Sequence, residues 1–256
     1  NWDKELPMQM LASVGRYGFW TYYLHTGDRQ TIEHVYPTVQ NHVLGVCQLG
    51  EDGLVVPRQG GWTWGDWGEN KDMPLLYNAW YYLALDSVAS MAELLNHHDD
   101  RQEARSRMAS IEEQFNKQFW TGTEYRSPNY EGLTDDRGQA LAVVSGLAKP
   151  DQYSHIRKIL GEQYHASPYM EKYVLQALFE MGYAEDAYNR MKTRYRKMVD
   201  SELTTLWENW GSDTEGLGGW SYNHAWSGGP LILLSKFTAG VKPLELGYKS
   251  IRVRPV

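Results

Sequence analysis

Cysteine is nearly missing: the 256-residue chain holds one, Cys47. A single thiol excludes a disulfide framework and any paired-cysteine metal or redox motif, so Cys47 is read as a small buried apolar residue. Long apolar runs are missing too, and no stretch approaches the ~18 residues that a membrane-spanning helix needs. Positive charge is in deficit, with 25 Lys+Arg against 32 Asp+Glu and a net charge of −7. Nucleic-acid binding calls for a basic stripe that displaces counterions from phosphates, and none occurs. There is no HxxxH pair. His97-His98 point in different directions on a helix, and Asp99-Asp100 beside them read as a solvated turn, so no metal centre or cofactor is expected, a loosely held Ca²⁺ apart. GxSxG and GxGxxG are absent, and Gly15-Arg16-Tyr17-Gly18 reads as a helix interior with two small residues. The start, Asn1-Trp2-Asp3-Lys4-Glu5, lacks an initiator Met and lacks the basic-then-apolar pattern of a signal peptide. The chain is therefore expected to be a piece of a longer protein.

What is present is ordinary globular composition, 42% apolar and 22% charged, enough for one large domain or two small ones. Most of it carries apolar residues at a 3.6-residue period. Nine helices are predicted. The first runs from Leu6 to His25. The second follows Asp28 as N-cap, with Ile32, Val35, Val39, Val43 and Val46 as its stripe. The others cover Leu75 to Leu95, Gln102 to Phe119, Arg137 to Leu147, Gln152 to Tyr164, Tyr169 to Met181, Ala184 to Met198 and Ala225 to Phe237. Short connections make antiparallel helical hairpins, stacked in a ring or bundle. At the end, Ile251 and Val253 alternate with Arg252 and Arg254, the pattern of a half-buried strand. In an all-helical chain such a strand has nothing to pair with, and it is expected to open a β domain.

Two long non-helical stretches, Gly50 to Met73 and Glu202 to Trp226, hold seven of the 11 Trp. Structureless connections of that length inside a helical domain are uncommon and often functional. In the first, Gly60-Gly61-Trp62-Thr63-Trp64-Gly65-Asp66-Trp67-Gly68-Glu69 interleaves three indoles with glycines and acids. Aromatic faces beside carboxylates suit a sugar, whose C–H face stacks while its hydroxyls hydrogen-bond. One or two of Trp62, Trp64 and Trp67 serve equally well as plugs at the end of the core. In the second, Glu208 lies between Trp207 and Trp210, where desolvation tunes a carboxyl and fixed geometry aims it at a water. It is the leading catalytic candidate; capping a helix or pairing with an Arg is the plainer alternative. Asn223 is placed to cap the next helix, which would put His224 in its first turn near Trp226, at the lip of a cleft. Alone, His224 is better read as a satisfied core histidine. With acids as the available catalysts, the matching chemistry is glycosidic: one carboxyl protonates the leaving oxygen while another activates water or attacks.

In chain order, Gly27-Asp28, Gly65-Asp66-Trp67, Gln139-Ala140-Leu141-Ala142, Thr205-Leu206-Trp207-Glu208-Asn209-Trp210, Ser221-Tyr222-Asn223-His224 and Leu246-Gly247-Tyr248-Lys249-Ser250-Ile251 resemble the bacterial α-L-rhamnosidases of glycoside hydrolase family 78. The resemblance covers nearly the whole chain, and the TxWExW and NH motifs are its most specific parts. It implies an all-α toroid of six helical hairpins followed by a C-terminal β-sandwich. On that reading residues 1–240 are part of the toroid, and 241–256 are a linker and first sandwich strand. It further implies inverting hydrolysis of a terminal α-L-rhamnose or similar neutral deoxysugar, with Glu208 as general base and His224 as a sugar contact. Trp67, and less directly Trp2, would be walls of the sugar pocket. The family's general acid is a Glu in an RDER-like motif upstream of the region matched by Asn1-Trp2-Asp3. No such motif occurs here, so the isolated piece is expected to be inactive, with the flanking domains of its own longer chain as partners beside the carbohydrate. Asp3, Asp66 and Glu69 are the acids left to hold hydroxyls or replace the missing one. The resemblance departs at Asn209, where the family carries an Arg, and at the added Trp62 and Trp64. A bacterial periplasmic or secreted setting is favoured over a cytoplasmic one.

Three other readings compete. Another six-hairpin glycosidase acting on a uronic acid would want Arg or Lys in the Trp-rich loops, yet only Arg58 and Lys71 flank the first and none lies in the second. A non-catalytic carbohydrate-binding domain would need the Trp platforms but not Glu208. A helical interaction scaffold would gain nothing from clustered indoles that invite aggregation.

Overall fold

The computed structural model describes residues 10–56, 64–211 and 221–255. These fall into two compact units, one from Asn1–Gly65, Asp72–Tyr130 and Pro243–Arg252, the other from Asp66–Lys71, Glu131–Lys242 and Val253–Val256. Both are helical, as the 3.6-residue period predicts.

In the first unit α1 (Met10–Val14) and α2 (Phe19–Thr26) replace the single helix expected through Gly15–Gly18. The break has a steric cause. A Cβ on Gly18 would sit 1.5 Å from the Ser13 carbonyl oxygen, so the backbone turns where only glycine fits. Next comes α3 (Arg29–Gln40), started by Asp28, whose side chain accepts the Thr31 N–H at 3.1 Å. Its last residues continue as a π turn over Asn41–Val46. The long pair α4 (Met73–Leu95) and α5 (His98–Phe119) forms a hairpin, α4 buried along most of its surface through Leu75, Ala79, Leu83, Val88 and Ala92. Arg107 on α5 fastens the preceding turn, donating to the Leu44 and Cys47 carbonyls and to the Tyr81 hydroxyl. Cys47 is buried, as expected. Asp100 is not a solvated turn residue. It lies in the first turn of α5, half-buried, and accepts hydrogen bonds from the Tyr36 hydroxyl at 2.8 Å and the Gln40 amide at 3.2 Å.

The second unit holds α6 (Asp136–Ser145), every residue of which is buried, then α7 (Tyr153–Glu162), α8 (Pro168–Glu180), α9 (Ala184–Asp200) and the short α10 (Gly229–Leu233). α8 is the core helix, with Val174, Leu175, Ala177 and Leu178 shielded from solvent. Its interior also holds charge: Arg190 on α9 binds Glu171 on α8 at 2.6 Å and Asp136 on α6 at 2.8 Å. Such groups are tolerated in a core only when paired.

The expected strand exists as β2 (Ile251–Val253), but it has a partner inside the chain, β1 (Val241–Pro243). It is also not half-buried, because Ile251 and Val253 are 48% and 58% exposed. The sequence reading missed β1 because three residues with a central Lys and a terminal Pro carry no strand period.

Candidate active site

In the second unit the segment that follows α9 is laid against the segment that precedes α10. The Glu208 N–H donates to the Ser221 carbonyl at 2.8 Å, and the His224 N–H donates to the Leu206 carbonyl at 2.8 Å, so the two stretches run antiparallel. Side chains complete the pairing. Thr205 Oγ1 donates to the Tyr222 carbonyl, Ser227 Oγ to the Trp207 carbonyl, and Trp226 Nε1 to the Glu208 carbonyl at 3.0 Å. This arrangement fixes the half-buried Glu208. One carboxylate oxygen, Oε2, accepts the Ser221 N–H at 3.0 Å, while no hydrogen bond or ion pair from the described residues reaches Oε1. Among the described residues Glu208 caps no helix and pairs with no Arg, the plainer roles open to it.

Aromatic rings gather on the same segments. The His224 ring lies on Trp226, centroids 4.3 Å apart at 30°, and Trp226 also meets Tyr169 at 5.4 Å and Trp67 at 6.5 Å. Trp207 stands edge-on to Tyr222 at 5.2 Å. Two polar atoms here, Trp207 Nε1 and His224 Nδ1, are buried without a hydrogen-bond partner among the described residues. The cap predicted at Asn223 is absent. Its N–H donates to Ser221 Oγ, and His224 itself stands before the 3₁₀ turn Ala225–Gly228.

Trp210 is an anchor and not an open platform. Its Nε1 donates to the Ala166 carbonyl at 2.8 Å, Tyr195 meets it edge-on at 5.0 Å, and the Arg194 guanidinium covers its ring at 4.1 Å. Asp66 likewise faces inward instead of toward a sugar. It is 1% exposed and accepts the Ser167 N–H at 2.9 Å, the Ser167 hydroxyl, and Arg137 Nη1 at 3.3 Å. Burial pushes its carboxyl up from the usual carboxylate range, against the pull of Arg137 and Ser167. Trp64, in the first unit, is buried, as a plug at the end of the core would be. Trp2, Asp3 and Trp62 lie outside the described residues.

Two contributors escaped the sequence reading. Arg137, fully buried, donates to Asp135 at 2.6 Å and to the carbonyls of Trp67, Glu69 and Asn70 at 3.2, 2.7 and 2.7 Å, which sets the path of the chain that carries Trp67. Tyr169, at the start of α8, backs Trp226, and burial pushes its hydroxyl up to about 12. The only local signal for Arg137 was an Arg between Asp136 and an apolar helix face. Among the described residues no cluster of His, Cys, Asp and Glu could hold a metal ion, and no helix is long and apolar enough to cross a membrane.

The second unit is thus a helical domain that holds an oriented carboxylate, Glu208, among aromatic rings. Residues 12–237 match the family described as the bacterial alpha-L-rhamnosidase 6 hairpin glycosidase domain, and the chain belongs to that family. Similar solved structures are the alpha-L-rhamnosidase of Dictyoglumus thermophilum (24% identity, TM-score 0.77, 92% of this chain and 28% of that one) and the GH78 family rhamnosidase of Bacillus sp. GL1 (20%, 0.77, 92% and 27%). A third is the Streptomyces avermitilis alpha-L-rhamnosidase complexed with L-rhamnose (20%, 0.75, 93% and 24%). At these identities the likeness establishes the fold alone, and the chain spans 28% of the length of the first of them. No curated protein matches the chain.

Proposed function

We propose that this domain is the hydrolytic centre of a glycosidase that removes a terminal α-L-rhamnose, or a similar neutral deoxysugar, with inversion. Glu208 is the general base. The observation that carries this reading is the asymmetric setting of its carboxylate: Oε2 is tied to the Ser221 amide, and none of the described residues donates to Oε1. A carboxylate held at one oxygen is oriented and still able to accept a proton from water at the other. His224, Trp226 and Trp67 supply the apolar wall on which a sugar ring would lie, and Trp207 the second. The general acid comes from sequence other than these 256 residues, which contain no RDER-like motif, so the chain by itself is inactive.

The test uses the full-length protein that carries this domain, with an aryl α-L-rhamnoside as substrate and NMR to read the first anomer released. Wild type should release the β-anomer, and Glu208→Gln should lower kcat by ~10²–10⁴-fold. Release of the α-anomer would overturn inversion. Undiminished turnover by Glu208→Gln would overturn the base. Turnover of a different glycoside alone would keep the base and replace the sugar.

A further inference from the structure

Glu208 is two residues from Trp210, and the anchoring of Trp210 leads into the charged interior of the second unit. The Ala166 carbonyl accepts two donors, Trp210 Nε1 at 2.8 Å and Arg194 Nη2. Arg194 also lays its guanidinium over the Trp210 ring at 4.1 Å, so one side chain both covers the indole and shares its acceptor. Only a planar cation with several donors does both at once; a lysine ammonium cannot.

Arg194 is itself held. Its Nε lies 3.5 Å from Glu171 Oε2, and Glu171 is gripped by Arg190 through Nε at 2.6 Å and Nη2 at 3.0 Å. Arg190 reaches Asp136 Oδ2 at 2.8 Å, the same oxygen that accepts the Ala166 N–H at 3.4 Å. The next residue, Ser167, is clasped by Asp66. The carbonyl to which Trp210 is tied is thus fixed on both sides by buried charge. On the other side of Glu208, Ser227 holds the Trp207 carbonyl and Trp226 the Glu208 carbonyl. The carboxylate is strung between two anchors, and Arg194 secures one of them.

We propose that Arg194 is a positioning residue for Glu208, acting through the ring and N–H of Trp210 and their shared acceptor at Ala166. The inference rests on Glu208 being the base. Misplacing a reacting group by about 1 Å costs up to ~10²-fold in rate without touching substrate affinity.

The experiment measures kcat, KM and melting temperature of the full-length protein on an aryl α-L-rhamnoside, with Arg194→Met, Trp210→Phe and Glu208→Gln made singly and in pairs. Arg194→Met is expected to lower kcat roughly 10- to 100-fold with KM within about twofold. In the Glu208→Gln background it should lower kcat less than about twofold, because a displaced base and an absent one are not lost twice. Trp210→Phe keeps an aromatic face for Arg194, though a smaller one, and removes the donor, so it should show a smaller loss with the same non-additivity, and it carries the test if Arg194→Met does not fold. Losses that multiply in the Glu208→Gln background, or an unchanged kcat in Arg194→Met, overturn the positioning role while the base stands. A Glu208→Gln protein as active as wild type removes the base and the positioning role together.

Discussion

Glu208 and Ser221 exchange two hydrogen bonds: the Glu208 N–H donates to the Ser221 carbonyl at 2.8 Å, and the Ser221 N–H donates to Glu208 Oε2 at 3.0 Å. Both Ser221 groups belong to the main chain. Ser221→Ala should therefore leave kcat within about threefold of wild type. Ser221→Pro deletes the N–H, and a hydrogen bond to a charged group is worth about 1.5–3 kcal/mol, so kcat should fall roughly 10- to 150-fold. Steady-state kinetics of the two variants in the full-length protein make the comparison, and equal losses would remove the clasp from the account.

Asp66 separates a structural from a sugar-binding role. Removing its carboxylate in Asp66→Ala leaves the Ser167 donors unmatched and strips Arg137 of one of its two bonded carboxylates in a dry interior. Breaking a buried ion pair from one side costs about 3–5 kcal/mol. Urea unfolding should show a loss of that order. A sugar-contacting Asp would instead raise KM and leave the unfolding midpoint where it was.

Lys172 on α8 gives a pH signature. Burial, with Lys236 adding repulsion, draws its amine from 10.5 down to about 8. The folded state therefore disfavours the protonated form. That penalty is complete below about pH 8 and fades as pH rises toward 10.5, because the unfolded chain binds the extra proton across this window. Lys172→Met should melt higher than wild type at pH 7, and the gain should shrink steadily by pH 10. Thermal melts of the two proteins at both pH values decide it, and a variant that melts lower at pH 7 would contradict the penalty.

Helices were legible wherever the buried stripe is local. Ile32, Val39 and Val43 recur along one face, and the Asp28 cap stands where the sequence puts it. The errors came where a distant contact decides. The Gly15–Gly18 stretch is the exception, a local break: it fits a helix by period, and the close approach of Gly18 to Ser13 is open only to a glycine. Glu208, Trp67, His224 and Trp226 stand out in the sequence because loops dense in Trp are rare enough to draw attention. Whether each indole faces a cleft or the interior is another matter. Trp210 carries the same local signature as Trp67, and its surroundings are made by Arg194 and Tyr195, which no short window around it contains. Arg137 was invisible for the same reason, since its acceptors lie 67 to 70 residues away in sequence.

The clasp between Asp66 and Ser167 joins residues 101 apart in the chain, whereas the matching clasp in the first unit, Asp72 on Ser127, closes over 55. Asp66 and Asp72 leave the ribosome almost together, yet they wait for different partners. At synthesis rates of ~5–20 residues per second, Asp66 waits roughly 5–20 s for Ser167, about twice as long as Asp72 waits for Ser127. The stretch that carries the Trp67 ring is thus among the earliest parts of the second unit to be made, its clasp closes only after Ser167 has followed, and a chaperone or protease meeting the nascent chain would find it in that interval.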